Sequence, residues 1–321
     1  MPKLDDSYVK GVLKHTVQEK QEHHKTISYS QFSMYAKCPK QWKLRYVDKN
    51  RDDTPSIALI FGTAFHETLQ SYLYEVYEGV GPGKADKMDW HQTLQKNMAK
   101  EYIAVMEERG GEVFTTQEAM EEHYRDGIAI LDFIRKKRNI YFSTKGYELT
   151  AIEMPIYRQA SSTNENVFMN GFVDVILYDK VANKYIVYDI KTSTNGWNKY
   201  MKADKLKTSQ LLIYKKYFAE QIGCDEKQID VKYFIVRRKI PEGAMFPIKP
   251  VSEFSPASGK PSINKVITEV DSFVSSAFNA DGSYNTGRDY LPIGGKGLKN
   301  CRWCPFKDNE ELCPKAERIR E

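Results

Sequence analysis

The spacing of apolar residues changes character along this chain. From Phe61 to Tyr77 the residues Phe61, Phe65, Leu69, Tyr72, Leu73 and Val76 recur at helical spacing. That pattern predicts a helix and turns His66, one turn before Leu69 and two before Leu73, toward the protein body. Helix-like composition continues from about Asp89 to Arg138, broken by Gly110-Gly111, and predicts an all-helical insertion or lid. From Tyr147 onward β-branched and aromatic residues dominate, so Tyr147 to Tyr157, Val167 to Asp179 and Lys184 to Lys191 are expected as successive strands of a meander. A helix over Leu206 to Gln221, a strand over Val231 to Arg237 and a helix near Ile263 to Phe278 follow, the last within a Pro-, Gly- and Ser-rich region.

The N-terminal part divides in two. Residues 1–25, with clustered Lys, Glu and His, are expected as a polar, solvated arm. Ser30 is expected to cap a short helix carrying Phe32 and Tyr35 that Pro39 stops, leaving Cys38 at the helix end, with Trp42 to Tyr46 following as packing. The expected organisation is therefore arm (1–25), N-terminal segment (26–60), helical region and insertion (61–145), sheet-bearing core (146–240) and C-terminal region (241–321).

Composition narrows the class only a little. The chain has 321 residues, 41% hydrophobic, enough for a sizeable core. Its 48 basic and 43 acidic residues suit a polyanionic partner without requiring one. No run of about 18 apolar residues could span a bilayer and no signal peptide is evident, so a cytoplasmic, intracellular location is expected.

Candidate chemistry sits in the strands. The period of two places Asp189 and Lys191 on one face of their strand, with Ile186, Tyr188 and Ile190 on the other. In the preceding strand Asp174 is a lone carboxylate in an apolar run, where an unpaired charge is costly, so it needs a cation nearby. Two carboxylates on adjacent strands make a hard oxygen site suited to Mg²⁺ or Mn²⁺, and a neighbouring lysine can orient or deprotonate a water for attack on a phosphodiester. The bland alternative is a structural Asp189–Lys191 ion pair at a strand end, with Asp174 capping a turn. Glu153 could approach as a further acid or be an exposed strand carboxylate.

Cys301, Cys304 and Cys313 form a compact knuckle, and Cys38 lies far upstream. Four thiolates satisfy either tetrahedral Zn²⁺ or a [4Fe–4S] cluster, and the spacing does not separate the two. Cys224 has no partner motif and is expected as a free, semi-buried thiol. Basic residues interleaved with aromatics occur from Trp197 to Lys207 and at Lys296, Lys299, Arg302 and Lys307, where they could follow a phosphate backbone while Trp197 or Trp303 stacks on bases.

Together these segments resemble the PD-(D/E)XK nuclease superfamily and, within it, RecB-like exonucleases. Phe61-Gly62-Thr63-Ala64-Phe65-His66 resembles the family's Gly-x-x-x-His helix, and Gly171-Phe172-Val173-Asp174 its Gly-x-x-Asp strand. Asp189-Ile190-Lys191-Thr192 resembles its (Asp/Glu)-x-Lys strand, and Gln210 to Tyr214 its Gln-x-x-x-Tyr helix. Val173 stands where the superfamily's name places proline. The resemblance implies an α/β fold with a mixed central sheet flanked by helices. It also implies a divalent cation on His66, Asp174, Asp189 and the Ile190 carbonyl, Lys191 serving the attacking water, and Gln210 and Tyr214 contacting DNA or supporting the site. The Ser28-to-Pro39 segment with its cysteine, taken with the C-terminal three, is similar to the iron–sulfur nucleases of the AddB and CRISPR-adaptation types, which favours a [4Fe–4S] clasp over zinc.

The function so implied is exonuclease hydrolysis of single-stranded DNA or DNA ends. A competing expectation is a non-cutting, nuclease-like DNA-binding subunit of a recombination or replication complex, and a third is a zinc-stabilised adaptor. The sequence carries no Gly-x-x-x-x-Gly-Lys-Ser/Thr loop, so unwinding would fall to a helicase or recombination partner.

Overall fold

A computed structural model describes residues 25–50, 54–241, 243 and 247–320. The polar arm expected at the start therefore lies outside the described residues except for Lys25, which is not part of an arm: it opens strand β1 (Lys25–Ile27). Helices α1 (Tyr29–Lys37) and α2 (Pro39–Trp42) come next. Ser28, rather than Ser30, caps α1, its hydroxyl accepting from the Gln31 amide at 3.3 Å. Ser28 has the extended backbone a cap needs, whereas Ser30 already lies inside the helix. Cys38 ends α1 in an extended conformation, as the following proline requires, and Pro39 starts α2 where no amide donor is needed.

The long helix α3 (Ile57–Tyr77) leads to α4 (Pro82–Ala85), α5 (Trp90–Glu108), α6 (Gln117–Lys136) and α7 (Arg138–Tyr141). Asp89 and Thr116 cap α5 and α6, and the Gly110-Gly111 break falls between them, both glycines at positive φ. Strands β2 (Tyr147–Ser161), β3 (Asn164–Asp179) and β4 (Lys184–Ser193) form the expected antiparallel meander. Helices α8 (Lys199–Ala203) and α9 (Lys205–Ile222) then cross to β5 (Ile229–Arg237), which runs parallel to β4. Strand β6 (Val251–Phe254) and helix α10 (Lys260–Ala277) are the last strand and α-helix among the described residues.

The sheet is mixed. Strand β3 is its spine: β2 pairs along one edge, while β1 (parallel) and β4 (antiparallel) share the other, and β5 and β6 extend the sheet beyond β4. One face is covered by α1, α2, α9 and α10 through Phe32, Trp42, Leu211, Phe218 and Phe273. The opposite face is covered by α3, α5 and α6 through Phe61, Phe65, Leu94 and Ile130. The helical region expected as an insertion or lid is thus a layer of the fold, because its apolar stripe shares one core with the sheet. Trp42 is fully buried and meets Tyr35, Phe273, Tyr284 and Tyr290 at centroid distances of 5.5 Å each. That aromatic cluster binds the first described segment to the last. No helix among the described residues is long and apolar enough to cross a membrane.

Candidate active site and cysteine knuckle

The apolar periodicity of β4 sends Tyr185 and Val187 into one core and Ile186, Tyr188 and Ile190 into the other, so Asp189 and Lys191 share a face as expected. Asp189 is 2% exposed. Lys191 Nζ sits 2.8 Å from its Oδ2 as an ion pair and donates to Oδ1 at 3.1 Å. Oδ2 is left buried with no donor in hydrogen-bond geometry.

Asp174, on β3, accepts the Ile190 amide on Oδ2 at 2.6 Å, and His66 Nδ1 stands 3.7 Å from the same oxygen. Burial and the neighbouring Asp189 charge push the Asp174 carboxyl well above the usual carboxylate range. Burial raises Asp189 as well, with Lys191 opposing it. Lys191 itself is penalised by burial, but Asp189 and Asp174 outweigh that and hold its pKa above the ordinary lysine value. Burial and the Lys191 charge push His66 down to about 4, against a hydrogen bond to the Ile190 backbone, so its imidazole is neutral at pH 7. The cation that Asp174 needs is thus present as Lys191, shared with Asp189.

Two motif glycines are there for clearance. A Cβ on Gly171 would stand 3.0 Å from the Tyr214 ring and hydroxyl, and one on Gly62 would stand 3.1 Å from Thr192 Oγ1. Gly171 therefore lets α9 lie against β3, and Gly62 lets α3 approach the end of β4. Gln210 donates from Nε2 to the Tyr214 hydroxyl at 3.3 Å, and both are buried. Tyr214 lies close enough to Asp189, Lys191 and Asp174 to feel their charges.

Gln70 escaped the candidate set, and Glu153, expected as either a further acid or an exposed strand carboxylate, is its partner. Gln70, one turn beyond His66 on α3, donates to the Glu153 carboxylate and, at 3.1 Å, to the Asp174 carbonyl. Glu153 reaches this position because its backbone is left-handed within a strand, φ 51°, beside a register shift between Leu149 and Ala151. Burial raises its carboxyl pKa, and Asp189 adds to the effect. The i,i+4 spacing from His66 could have flagged Gln70. Glu153 nonetheless stays exposed, as the alternative of a surface strand carboxylate expected, while accepting from Gln70.

The five cysteines are all free thiols. Cys38, Cys301, Cys304 and Cys313 line one small cavity with Arg318 and Asn300, while Cys224 stands apart and half-buried. Protein contacts already close this junction: Asn300 Nδ2 donates to the Lys37 carbonyl at 2.9 Å, and the Lys40 amide to Leu291 at 3.3 Å. Among the described residues, no group of three or more His, Cys, Asp or Glu side chains is arranged as a ready-made cage for a metal ion. The donor chemistry nonetheless suits two separate groups. Asp174 and Asp189, whose Oδ2 meets only the Lys191 ammonium, would be hard ligands for a divalent cation beside a neutral imidazole, and four thiols around one cavity would be soft ligands for a second centre.

Of the two basic stretches, the first is structural at its aromatic: Trp197 is half-buried against Tyr233 at 4.8 Å, with Lys207 over its ring. Trp303 is 80% exposed, with the Arg302 guanidinium 5.2 Å from its ring.

No curated protein matches the chain. The crystal structure of SSO0001 aligns over 89% of this chain and 96% of its own at 14% identity, with a TM-score of 0.29, a likeness too loose to carry an argument. The family model of the PD-(D/E)XK nuclease superfamily matches residues 26–313, spanning every motif described above. The chain belongs to the PD-(D/E)XK nuclease superfamily.

Proposed function

We propose that this protein is a metal-dependent DNA exonuclease of the RecB-like type that hydrolyses phosphodiester bonds in single-stranded DNA or at DNA ends. The observation that carries the reading is the convergence of Asp174, Asp189, Lys191 and His66 from within β3, β4 and α3, with two carboxylates on neighbouring strands beside one lysine. Such an arrangement costs stability in the metal-free protein and is explained by a ligand that needs it.

Asp174, Asp189 and His66 would hold Mg²⁺ or Mn²⁺, with the Ile190 carbonyl available next to them. A bound divalent cation supplies charge stabilisation for the phosphoryl group and a more acidic water. Lys191, kept as an ammonium by the two acids, orients the attacking water and stabilises developing negative charge rather than accepting a proton. Asp174 Oδ2 is held in place by the Ile190 amide, and Gln70 fixes the Asp174 carbonyl and the Glu153 carboxylate. Gln210 and Tyr214 support this arrangement from α9.

Cys38, Cys301, Cys304 and Cys313 would hold a [4Fe–4S] cluster acting as a structural clasp between the terminal segments. The support is four thiols from two distant stretches around one cavity, together with the similarity of their sequence pattern to AddB-like nucleases. Duplex unwinding would belong to a helicase or recombination partner.

The test is degradation of linear, end-labelled single-stranded DNA beside a covalently closed single-stranded circle of the same sequence, using anaerobically purified protein with Mg²⁺ or Mn²⁺. Stepwise products from the linear strand with an intact circle are expected. Cutting of the circle at a comparable rate refutes the exonuclease mode.

A further inference from the structure

A groove of about 730 Å³ runs between the cysteine knuckle and the flank of α3 and α5. One wall carries Arg302, Trp303 and Lys307; the other carries Leu59, Ile60 and Thr63 of α3. Trp303 is 80% exposed and Leu59 is 69% exposed, so two large apolar side chains face solvent across the same space. Left bare, they are a standing cost that a ligand with apolar faces would remove. The Arg302 guanidinium lies 5.2 Å from the Trp303 ring, which holds a flat aromatic surface and a cation together.

The charge in the groove selects the ligand. Arg45 joins Arg302 and Lys307 from the floor, and the acids Glu101 and Glu108 are confined to α5, where Arg109 is also engaged with Glu112 at 2.7 Å. Cations next to an exposed indole fit a polymer that alternates phosphates with aromatic faces. A duplex hides its base faces, so only an unpaired strand could use Trp303.

The groove shares helix α3 with the carboxylate site. Ile60 and Thr63 line it, and His66 lies one residue triplet beyond Thr63 on the same helix, about 4.5 Å further along the axis. Gly62, between the groove residues, abuts Thr192, which follows Lys191.

We propose that this groove is the track for single-stranded DNA on its way to the Asp174–Asp189 centre, with Trp303 as a base-stacking platform and Arg302 and Lys307 as phosphate contacts. The inference rests on the nuclease reading for the destination of the strand, but the binding surface itself can be tested alone. The cysteine knuckle then has a substrate-facing role besides joining the terminal segments.

The experiment measures binding of a fluorescent oligothymidine, and of a duplex of equal length, to full-length protein in EDTA, which prevents cutting. Trp303→Ala and Leu59→Glu are compared with the unmodified protein, with visible absorbance and melting temperature recorded for each. Trp303→Ala should weaken oligothymidine binding about fivefold or more. Leu59→Glu, on α3 rather than within the cysteine knuckle, should weaken it similarly by placing a negative charge beside the phosphates. Neither should alter duplex binding as much. Affinities unchanged in both variants overturn the proposal, as does an equal loss for duplex. If the variants lose single-strand affinity but the unmodified protein cuts no DNA with any metal, the groove stands and the nuclease reading fails. If it cuts DNA while both variants bind normally, the reverse holds.

Discussion

Replacing Lys191 with methionine removes the one cation in direct contact with Asp189 while keeping most of the side-chain volume. Nζ is 2.8 Å from Asp189 Oδ2, the Asp189 side chain is 3% exposed and that of Lys191 is 33% exposed. Stripping one partner from a fully buried ion pair costs ~3–5 kcal/mol. Here the lysine is a third exposed and therefore screened, and Asp189 can take up a proton instead of remaining bare, so a net loss of ~1–2 kcal/mol is expected. That corresponds to a fall of roughly 1.5–3 °C in melting temperature for a chain of this size. The pH dependence has a definite sign. Burial already raises the Asp189 pKa, and removing Lys191 raises it further. A carboxyl whose folded pKa exceeds its unfolded value destabilises as pH rises through the folded value, so the deficit should be widest at neutral pH and narrow in mild acid. Cleavage should fall by ~10²–10³, the range for loss of one group that stabilises developing negative charge. Scanning fluorimetry in EDTA at several pH values and initial rates on end-labelled DNA with saturating Mn²⁺ check both halves. Cleavage within about threefold of the unmodified protein would refute the role of Lys191, and a deficit that widens in acid would refute the electrostatic reasoning.

Three further outcomes are expected. Cys301→Ser should bleach visible absorbance in anaerobically purified protein and lower its melting temperature, since one of four cluster ligands is lost; unchanged absorbance would exclude Cys301 as a ligand. Gly171→Ala should lower cleavage and cost ~1–3 kcal/mol by pushing the Tyr214 ring off β3, an effect visible in urea melts and absent if the ring has room to move. Gln70→Leu should cost ~1–3 kcal/mol, because it strips the Glu153 carboxylate and the Asp174 carbonyl of a shared donor; a melting curve unchanged by that substitution would show the bridge to be idle.

Much of the architecture was legible because its elements obey simple periods. The α3 stripe, the β2–β3–β4 meander and the α9 crossover to β5 all follow from apolar spacing, and the alternation along β4 placed Asp189 and Lys191 together before any coordinates. What stayed hidden is what periodicity does not encode. Strand β1 has only three residues, Lys25–Ile27, and β6 only four, too short for a pattern to stand out. Ser28 and Ser30 are chemically equivalent caps, and only the backbone at Ser28 decides between them. Glu153 meets Gln70 from a left-handed backbone, φ 51°, a local departure from the pleat that no alternation predicts. The layer formed by α5 and α6 looked like a lid because amphipathic stripes do not name the surface they cover. The four cysteines were legible as a set, and the fold adds that they face one cavity.

The central claim is that the Asp174–Asp189 pair is the metal-dependent nuclease centre. Its most direct test is the rate of DNA cleavage by the unmodified protein and by Asp189→Asn, each with Mg²⁺, Mn²⁺ or EDTA, after circular dichroism has shown equal folding. Cleavage that requires the metal and falls by at least about a hundredfold in Asp189→Asn is the predicted result. Cleavage that persists in EDTA, or survives intact in Asp189→Asn, would contradict it.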